Sequence, residues 1–266
     1  MSDLMNRVRW SCHYYGVPMT CLSVAARVTA KAGWDFGGSP AFLDFKDRVI
    51  DRRFRIATTG QVPTSELDVA PTQQEHAIQY QPTSSLDLAV LLDCVSRQTD
   101  LREFSFVDFG SGKGRVTLMA SEFPFRSVAG VEFSAVLHKA ACENIATFRS
   151  THQMCRDVTS ICQDATDYQL PDGPIVTFFF NPFDAVIMSR VLSNIEKSVE
   201  RELREVLCIY HNPVHRDLLD DSPFWKEQNG WPIEQQQWAI YRGGEVPIRA
   251  DDSPRVNIVE THMATS

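Results

Sequence analysis

The sequence predicts an α/β fold with a doubly wound, mostly parallel sheet of seven strands. From about residue 83, apolar runs of strand length alternate with longer segments of helical spacing. This alternation is typical of a parallel sheet covered by helices on both faces. Three glycines follow the first strand, and the last two apolar runs lie close together without a long helical segment between them. These last two apolar runs predict a terminal antiparallel hairpin.

The first 75 residues predict short helices. The segment "TCLSVAARVTAKAG" (20–33) ends at a glycine, as helices commonly do. A second helix with mixed charge is expected over 39–55, and the polar, proline-containing segment 64–75 predicts a linker. We expect residues 1–75 to form a small helical accessory region that covers part of the site.

The Rossmann-like domain is expected over residues 76–245, followed by a C-terminal tail over 246–266. It opens with a helix over 84–98. The predicted strands then cover 104–109, 127–133, the start of 158–165, 175–180 and 205–210, with helices over 114–123, 134–150 and 184–201. The hairpin strands are expected at 224–228 and 236–242.

Composition limits the classes of function. A formal net charge of −8 argues against a large phosphate-binding surface, so no nucleic-acid partner is predicted. No apolar run approaches the roughly 20 residues of a membrane span. The seven cysteines are odd in number and form no CxxC pair, which favours reduced thiols and a cytoplasmic location. No metal site is expected, since Pro213 separates the histidines of "HNPVH"; His211 could line a pocket at a strand end.

The glycines after the first strand indicate a ligand at the sheet edge, where open α/β sheets bind ligands. A phosphate-binding P-loop needs G-x-x-x-x-G-K-[ST], but Lys113 is followed by Gly114. A dinucleotide site needs G-x-G-x-x-G, and here Arg115 takes the place of the third glycine. Lys113 and Arg115 are expected to be surface charges at the start of a helix.

The segment "DFGSGKG" instead reads D-x-G-x-G-x-G and resembles the first motif of class I (seven-strand) S-adenosylmethionine-dependent methyltransferases. The resemblance implies S-adenosyl-L-methionine as the cofactor. The loop residues that it assigns to cofactor binding are Asp108, Gly110, Ser111, Gly112 and Gly114.

Acidic residues at the next two strand ends extend this resemblance. Glu132 ends the second strand, where the superfamily places an acid that binds both ribose hydroxyls. A carboxylate can accept a hydrogen bond from each hydroxyl. Asp164 follows the third strand and resembles the acid that meets the adenine amino group, with Ala165 alongside the ring.

The segment Asn181-Pro182-Phe183 resembles the [DN]-P-P-[FY] motif of amino methyltransferases, without its second proline. The resemblance implies that Asn181 accepts a hydrogen bond from the target nitrogen and also borders the cofactor. Phe183 would pack on the acceptor. A plain turn into a helix is the alternative interpretation of this segment. The segment "YQPTS" (80–84) resembles the one that closes over the cofactor in non-SET lysine methyltransferases. The resemblance implies that Tyr80 and Thr83 contact the cofactor, and Tyr80 is also expected to line the acceptor site.

"FFFNPFDAVIMSRVLSNI", "GSGKGR" and "GVEFS" together are most similar to non-SET histone-lysine and ATP-synthase c-subunit lysine methyltransferases and their bacterial relatives. This likeness covers about residues 76–242 and leaves residues 1–75 unexplained. It predicts methyl transfer to an amino nitrogen, with a protein lysine as the favoured acceptor. Two alternatives stay open: a small-molecule N- or O-methyltransferase of secondary metabolism, and a non-catalytic cofactor-binding scaffold.

Overall fold

A seven-stranded sheet forms the centre of the structure, a computed structural model that describes residues 2–31, 39–60, 62, 83–231 and 237–244. Its strands are β1 (Ser105–Phe109), β2 (Ser127–Glu132), β3 (Val158–Cys162), β4 (Ile175–Phe180), β5 (Val206–His211), β6 (Lys226–Glu227) and β7 (Trp238–Gly243). The helices of the described residues are α1 (Ser2–Lys31), α2 (Pro40–Phe54), α3 (Ser85–Gln98), α4 (Arg115–Ala120), α5 (Ala135–Thr147), α6 (Ala185–Arg201) and α7 (Asp217–Asp220).

The strand order is β3-β2-β1-β4-β5-β7-β6, so the predicted doubly wound sheet is confirmed. Strands β1 to β5 pair in parallel, and β7 pairs antiparallel with both β5 and β6. The predicted terminal hairpin is therefore present. The order reverses direction between β1 and β4, and ligands of open α/β sheets bind beyond the strand ends at such a point.

The central strands are buried on both faces, as parallel strands between two helix layers must be. Alternate side chains enter opposite layers. Phe106, Phe178 and Ile209 pack into the layer that contains α1 to α4. Val107 and Phe179 pack into the layer that contains α6. The near-continuous apolar sequence of β4, with its side chains buried from Ile175 to Phe179, follows from this double coverage.

The N-terminal helices share the first of these layers. Helix α1 is interrupted at Gly16 (φ 77°, ψ 164°), two residues before Pro18, and it packs against α3 and α2. Trp10 and Phe54 belong to the same buried cluster as Phe106 of β1. The structure is helical at both predicted positions: residues 20–31 lie within α1, which already begins at Ser2, and the second helix is Pro40–Phe54. The division into 1–75, 76–245 and 246–266 stays a prediction, because residue 75 and the tail lie outside the described residues.

The buried carboxylate of Glu122, in the turn after α4, contacts α1. Glu122 is 2% exposed; it accepts a hydrogen bond from the Tyr14 hydroxyl at 2.9 Å, and its Oε1 lies 2.8 Å from His13 Nε2. Ser150 also hydrogen-bonds to this carboxylate. The Trp10 ring stacks on Phe123 with 5.2 Å between ring centroids. These contacts tie the N-terminal helix to the body of the sheet domain.

No helix in the described part of the chain combines the length and the apolar character needed to cross a membrane.

Glu122→Gln tests this attachment. Glutamine keeps the shape of the side chain but replaces one acceptor oxygen with an NH₂ group, which then faces donors. We expect the free energy of unfolding to fall by about 1–3 kcal/mol, the cost of unsatisfied buried polar groups. Urea denaturation measures the change. Glu200→Gln, at an exposed position of α6, is the matched control and should change the value by less than about 0.5 kcal/mol. Equal urea midpoints for Glu122→Gln and Glu200→Gln would contradict the role of Glu122 in attaching α1.

Candidate functional site

The glycine loop between β1 and α4 turns back over the end of β2. Gly110, Gly112 and Gly114 all have positive φ, at 74°, 54° and 81°. The backbone N–H groups of Gly110 and Ser111 donate to the carbonyl of Val131 at 2.9 and 3.1 Å. The loop therefore lies on the carboxyl edge of the sheet, as the sequence predicts.

Gly110 also allows a close approach between this loop and the segment that follows β4. A Cβ at Gly110 would lie 2.4 Å from the Cβ of Pro182, so any larger residue would displace one of the two segments. Its φ of 74° disfavours other residues independently. The loop after β1 and the Asn181-Pro182-Phe183 segment thus meet in space.

Glu132 holds the glycine loop from the end of β2. Its Oε2 accepts the Gly112 N–H at 2.8 Å, and its Oε1 accepts the Ser134 N–H at 2.9 Å. The side chain is buried, with 3% exposure, and burial raises the pKa of its carboxyl although these backbone N–H groups lower it. Each oxygen retains lone pairs for a further donor.

Asp108 lies beside this carboxylate at the end of β1. Thr117 of α4 donates to its Oδ2 at 3.2 Å. Burial raises the pKa of the Asp108 carboxyl to about 8, even though the bond from Thr117 lowers it, and the nearby charge of Glu132 raises it further. The Asp108 carboxyl therefore keeps its proton to a higher pH than an ordinary aspartate does.

Asp164 follows β3 and caps a short 3-10 helix, Ala165–Asp167. Its Oδ1 accepts the Thr166 N–H at 2.8 Å and the Thr166 hydroxyl at 2.7 Å. Ala165 is buried. The Gln163 N–H donates to the Glu132 carbonyl at 3.1 Å, which brings the ends of β2 and β3 together. The sheet thus places the three predicted acids on adjacent strand ends.

Asn181 leaves the end of β4 in a left-handed backbone conformation with φ 40°. Asparagine tolerates this region better than most residues. Its Oδ1 accepts a hydrogen bond from the Tyr210 hydroxyl of β5 at 3.4 Å, and the residue is 9% exposed. Phe183 is buried in the α6 layer.

Of the residues predicted before α3, Thr83 is buried at 4% exposure, next to the helix cap Ser84. Tyr80 lies outside the described residues.

Comparison with known proteins gives one family match and several structural likenesses. Residues 107–209 match the family described as "Methyltransferase domain". No curated protein matches the chain. Among solved structures, the 23S rRNA methyltransferase ErmE is 15% identical, with 60% of this chain and 67% of that chain covered and a TM-score of 0.42.

Two further structures contain the cofactor or its product. Magnesium protoporphyrin IX methyltransferase (ChlM) from Synechocystis PCC 6803, with bound S-adenosylmethionine, is 13% identical, with coverages of 63% and 86% and a TM-score of 0.40. An RNA methyltransferase from Salinibacter ruber, with S-adenosyl-L-homocysteine, is 15% identical, with coverages of 65% and 100% and a TM-score of 0.40.

The family match extends from β1 to β5 and includes the glycine loop and the carboxyl ends of the first four strands. The chain therefore contains a methyltransferase domain, and this match supports S-adenosylmethionine-dependent methyl transfer. Its fold is the Rossmann-like class I methyltransferase fold, as predicted.

The charges at the carboxyl edge of the sheet fit a cationic ligand. Among the described residues, Asp108 and Glu132 have no cationic partner, and both carboxyl pKa values are raised by burial. Buried carboxylates are stabilised by a positive charge nearby. Ser111 in the loop has a buried hydroxyl without a hydrogen-bond partner in the described part of the chain. S-adenosylmethionine carries a sulfonium and an ammonium group, so the residues present suit it.

Arg115 corrects one prediction about this methyltransferase. The sequence predicts a surface charge, but Arg115 is only 2% exposed. Its guanidinium forms an ion pair with Asp47 of α2, and its Nε donates to the Thr58 hydroxyl at 2.7 Å. Lys113 Nζ donates to the Thr59 carbonyl at 3.1 Å. The glycine loop is therefore fixed to the N-terminal region, a contact that local sequence does not indicate.

Gly130 is a second residue that the sequence analysis missed. A Cβ there would lie 2.7 Å from both the Ser111 hydroxyl oxygen and the Thr117 hydroxyl oxygen. Glycine in β2 lets the loop and α4 approach the strand. A lone glycine inside a strand pattern is the available signal, since it often marks a close backbone approach.

Asp108→Asn tests the buried acid of the methyltransferase. The folded protein holds a proton on Asp108 up to about pH 8, whereas an unfolded aspartate releases it near pH 4. Between these values folding takes up a proton, so stability falls as the pH rises, by at most about 1.4 kcal/mol per pH unit. Asp108→Asn has no such proton, so its free energy of unfolding does not fall for this reason as the pH rises. Its stability relative to wild type should therefore increase from pH 5 to pH 8.

Urea denaturation without cofactor at pH 5, 6.5 and 8 measures the difference. Asp157→Asn, at an exposed aspartate before β3, is the control and should follow the wild-type profile. Parallel profiles for wild type and Asp108→Asn would show that Asp108 ionises as in the unfolded chain.

Proposed function

We propose that this enzyme transfers the methyl group of S-adenosylmethionine to an amino nitrogen, with a protein lysine as the favoured acceptor. The observation that carries the proposal is the position of Asn181. It lies at the end of β4, its amide oxygen is held by Tyr210, and the next residue contacts the glycine loop at Gly110. An amide oxygen is thereby held next to the loop proposed to bind the methyl donor.

The proposed cofactor contacts are distributed along the carboxyl edge. Glu132 would accept from the ribose hydroxyls, and Asp164 with Ala165 would border the adenine. Glu132 supports this role because its oxygens are buried yet not saturated by the backbone N–H groups of Gly112 and Ser134. The further proposed contacts are Asp108, Gly110, Ser111, Gly112, Gly114, Thr83 and Asn181.

The chain's own residues would act chiefly by positioning. The bound sulfonium supplies an activated methyl group, so alignment of the nucleophile is the main requirement. The Asn181 amide oxygen would accept an N–H of the amine and direct its lone pair. Phe183 and Tyr80 are proposed to provide an apolar wall, which would lower the pKa of a lysine ammonium and favour its neutral, reactive form.

The choice of acceptor rests on charge and on the resemblance. A net charge of −8 favours approach of a basic protein segment over an anionic one. The narrower likeness to histone-lysine and c-subunit lysine methyltransferases supports lysine, and the absence of a nucleic-acid acceptor stays a prediction. A small-molecule acceptor is the alternative. Retention of Asn181 argues against a non-catalytic scaffold.

A cytoplasmic location is proposed on the state of the cysteines. Cys21, Cys142 and Cys162 are exposed free thiols. Exposed free thiols are typical of reducing compartments.

Glu132→Ala tests the cofactor site. Removing the carboxylate deletes the proposed ribose contact and the acceptor of the Gly112 N–H. We expect the Kd for S-adenosyl-L-homocysteine, measured by calorimetry, to rise at least about 30-fold, the effect of losing roughly 2 kcal/mol of charge-assisted hydrogen bonding. Glu143→Ala, at an exposed position of α5, is the matched control and should bind as wild type does. Unchanged affinity in Glu132→Ala would remove Glu132 from the site.

Asn181→Ala tests the transfer itself. Purified enzyme is incubated with cofactor labelled in the methyl group and a cell lysate. The products are then divided into protein, RNA and small-molecule fractions, and hydrolysed protein is examined for methyllysine. We expect label in methyllysine, and at least a 100-fold lower rate for Asn181→Ala at saturating cofactor, since the residue acts on the acceptor in addition to bordering the cofactor.

Asn212→Ala is the matched control, since this exposed asparagine follows β5 and should leave the rate unchanged. Label in RNA that nuclease removes, or label only in small molecules, would contradict the lysine acceptor. Full activity in Asn181→Ala would contradict the proposed role of the amide.

A further inference from the structure

Three aromatic rings form a stack across the ends of three adjacent strands. Phe180 of β4, His211 of β5 and Trp238 of β7 are register neighbours. The His211 ring lies 4.1 Å from the Phe180 ring at an interplanar angle of 26°, and 4.1 Å from the Trp238 ring at 14°. Rings on both faces therefore fix the plane of the imidazole.

The His211 imidazole has unused hydrogen-bonding capacity. Its Nδ1 is buried without a hydrogen-bond partner among the described residues, and the residue is 9% exposed. An unsatisfied buried polar atom costs about 1–3 kcal/mol. A phenylalanine would fill the stack without that cost, so packing alone does not account for histidine. A bound ligand could supply the missing partner of such a group.

The environment keeps this imidazole neutral. Burial lowers the pKa of His211 to about 4, and the charge of Asp87 on α3 opposes the shift only in part. Asp87 is itself paired with Arg7 of α1. A neutral imidazole offers one N–H donor and one lone pair. It can therefore accept an N–H from an uncharged amine without adding positive charge near a sulfonium.

His211 lies next to the proposed acceptor site. Neighbouring strands are about 4.8 Å apart, and His211 pairs with Phe180, the residue before Asn181. Tyr210, which precedes His211, donates to the Asn181 amide oxygen. At the end of β5, Tyr210 thus contacts the Asn181 side chain, and the next residue, His211, belongs to the aromatic stack.

We propose that His211 is an acceptor-binding residue whose ring nitrogen accepts a hydrogen bond from the N–H of the methyl acceptor. The proposal rests on the proposed function, because it places the acceptor at the ends of β4 and β5. Asn181 and His211 then supply two hydrogen-bond acceptors for one amine. The Phe180–His211–Trp238 stack holds the imidazole in place before the acceptor arrives, which reduces the entropy lost on binding.

His211→Phe separates this role from packing. Phenylalanine retains an aromatic ring in the stack and removes both nitrogens. We expect an unchanged or higher melting temperature, a Kd for S-adenosyl-L-homocysteine within about twofold of wild type, and a kcat/KM for the acceptor at least about tenfold lower, mainly through KM. His211→Asn places an amide near the position of Nδ1, and His211→Gln places one near the position of Nε2. The variant whose amide replaces the ring nitrogen that binds the acceptor should restore part of the kcat/KM lost in His211→Phe.

His215→Phe is the matched control, since it makes the same change at a partly exposed histidine four residues later. It should leave kcat/KM unchanged. Wild-type kcat/KM in His211→Phe overturns the proposal, and so does loss of folding or of cofactor binding in that variant, because the role would then be structural. The identity of the labelled product in wild type tests the proposed function separately. If that product is not an amine, comparison of His211→Phe with wild type on the acceptor found still decides whether His211 binds it.

Discussion

The burial of two carboxylates at neighbouring strand ends is the constraint on which this site depends. Asp108 and Glu132 are 2% and 3% exposed, and among the described residues no cation faces either one. Glu132 is stabilised by the backbone N–H groups of Gly112 and Ser134, and Gly112 presents its N–H from a left-handed backbone conformation. Glycine at position 110 lets this loop approach Pro182 closely, and glycine at position 130 lets Ser111 and Thr117 approach β2. A cationic methyl donor would supply the positive charge that this edge lacks.

The N-terminal region is structurally part of this arrangement. Arg115 starts α4, the helix that carries Thr117 to Asp108, and its guanidinium is paired with Asp47 and Thr58. Asn144 of α5 bridges the same regions, since its Oδ1 accepts the Ala57 N–H at 2.7 Å and its Nδ2 donates to the Lys113 carbonyl at 2.9 Å. Residues 57–60 are thereby held against the glycine loop. This geometry connects the N-terminal region to the loop proposed to bind the cofactor.

Local periodicity was sufficient to predict most of the sheet. Strand β4 has the bounds expected from "IVTFFF", and the order of strands and helices from α3 to β7 agrees with the sequence pattern. Long-range pairing was not predictable in this way. Arg115 contacts residues 57 and 68 positions away, and nothing in its neighbours distinguishes a buried arginine from an exposed one. The left-handed conformation of Asn181 and the close approach of Pro182 to Gly110 are likewise not indicated by the local sequence.

The environment of His211 also depends on a long-range pairing, the register between β5 and β7. Its sequence neighbours indicate only the end of a strand, whereas the stack requires β7 to return antiparallel beside β5 and bring Trp238 opposite His211. Successive side chains of a strand point to opposite faces. Tyr210 therefore reaches Asn181 from the α6 layer, while His211 belongs to the aromatic stack on the other face. Because the end of β5 presents polar atoms on both faces, it can constrain an acceptor from two directions. A single side chain such as Asn181 would fix the amine nitrogen of the proposed acceptor in one direction only.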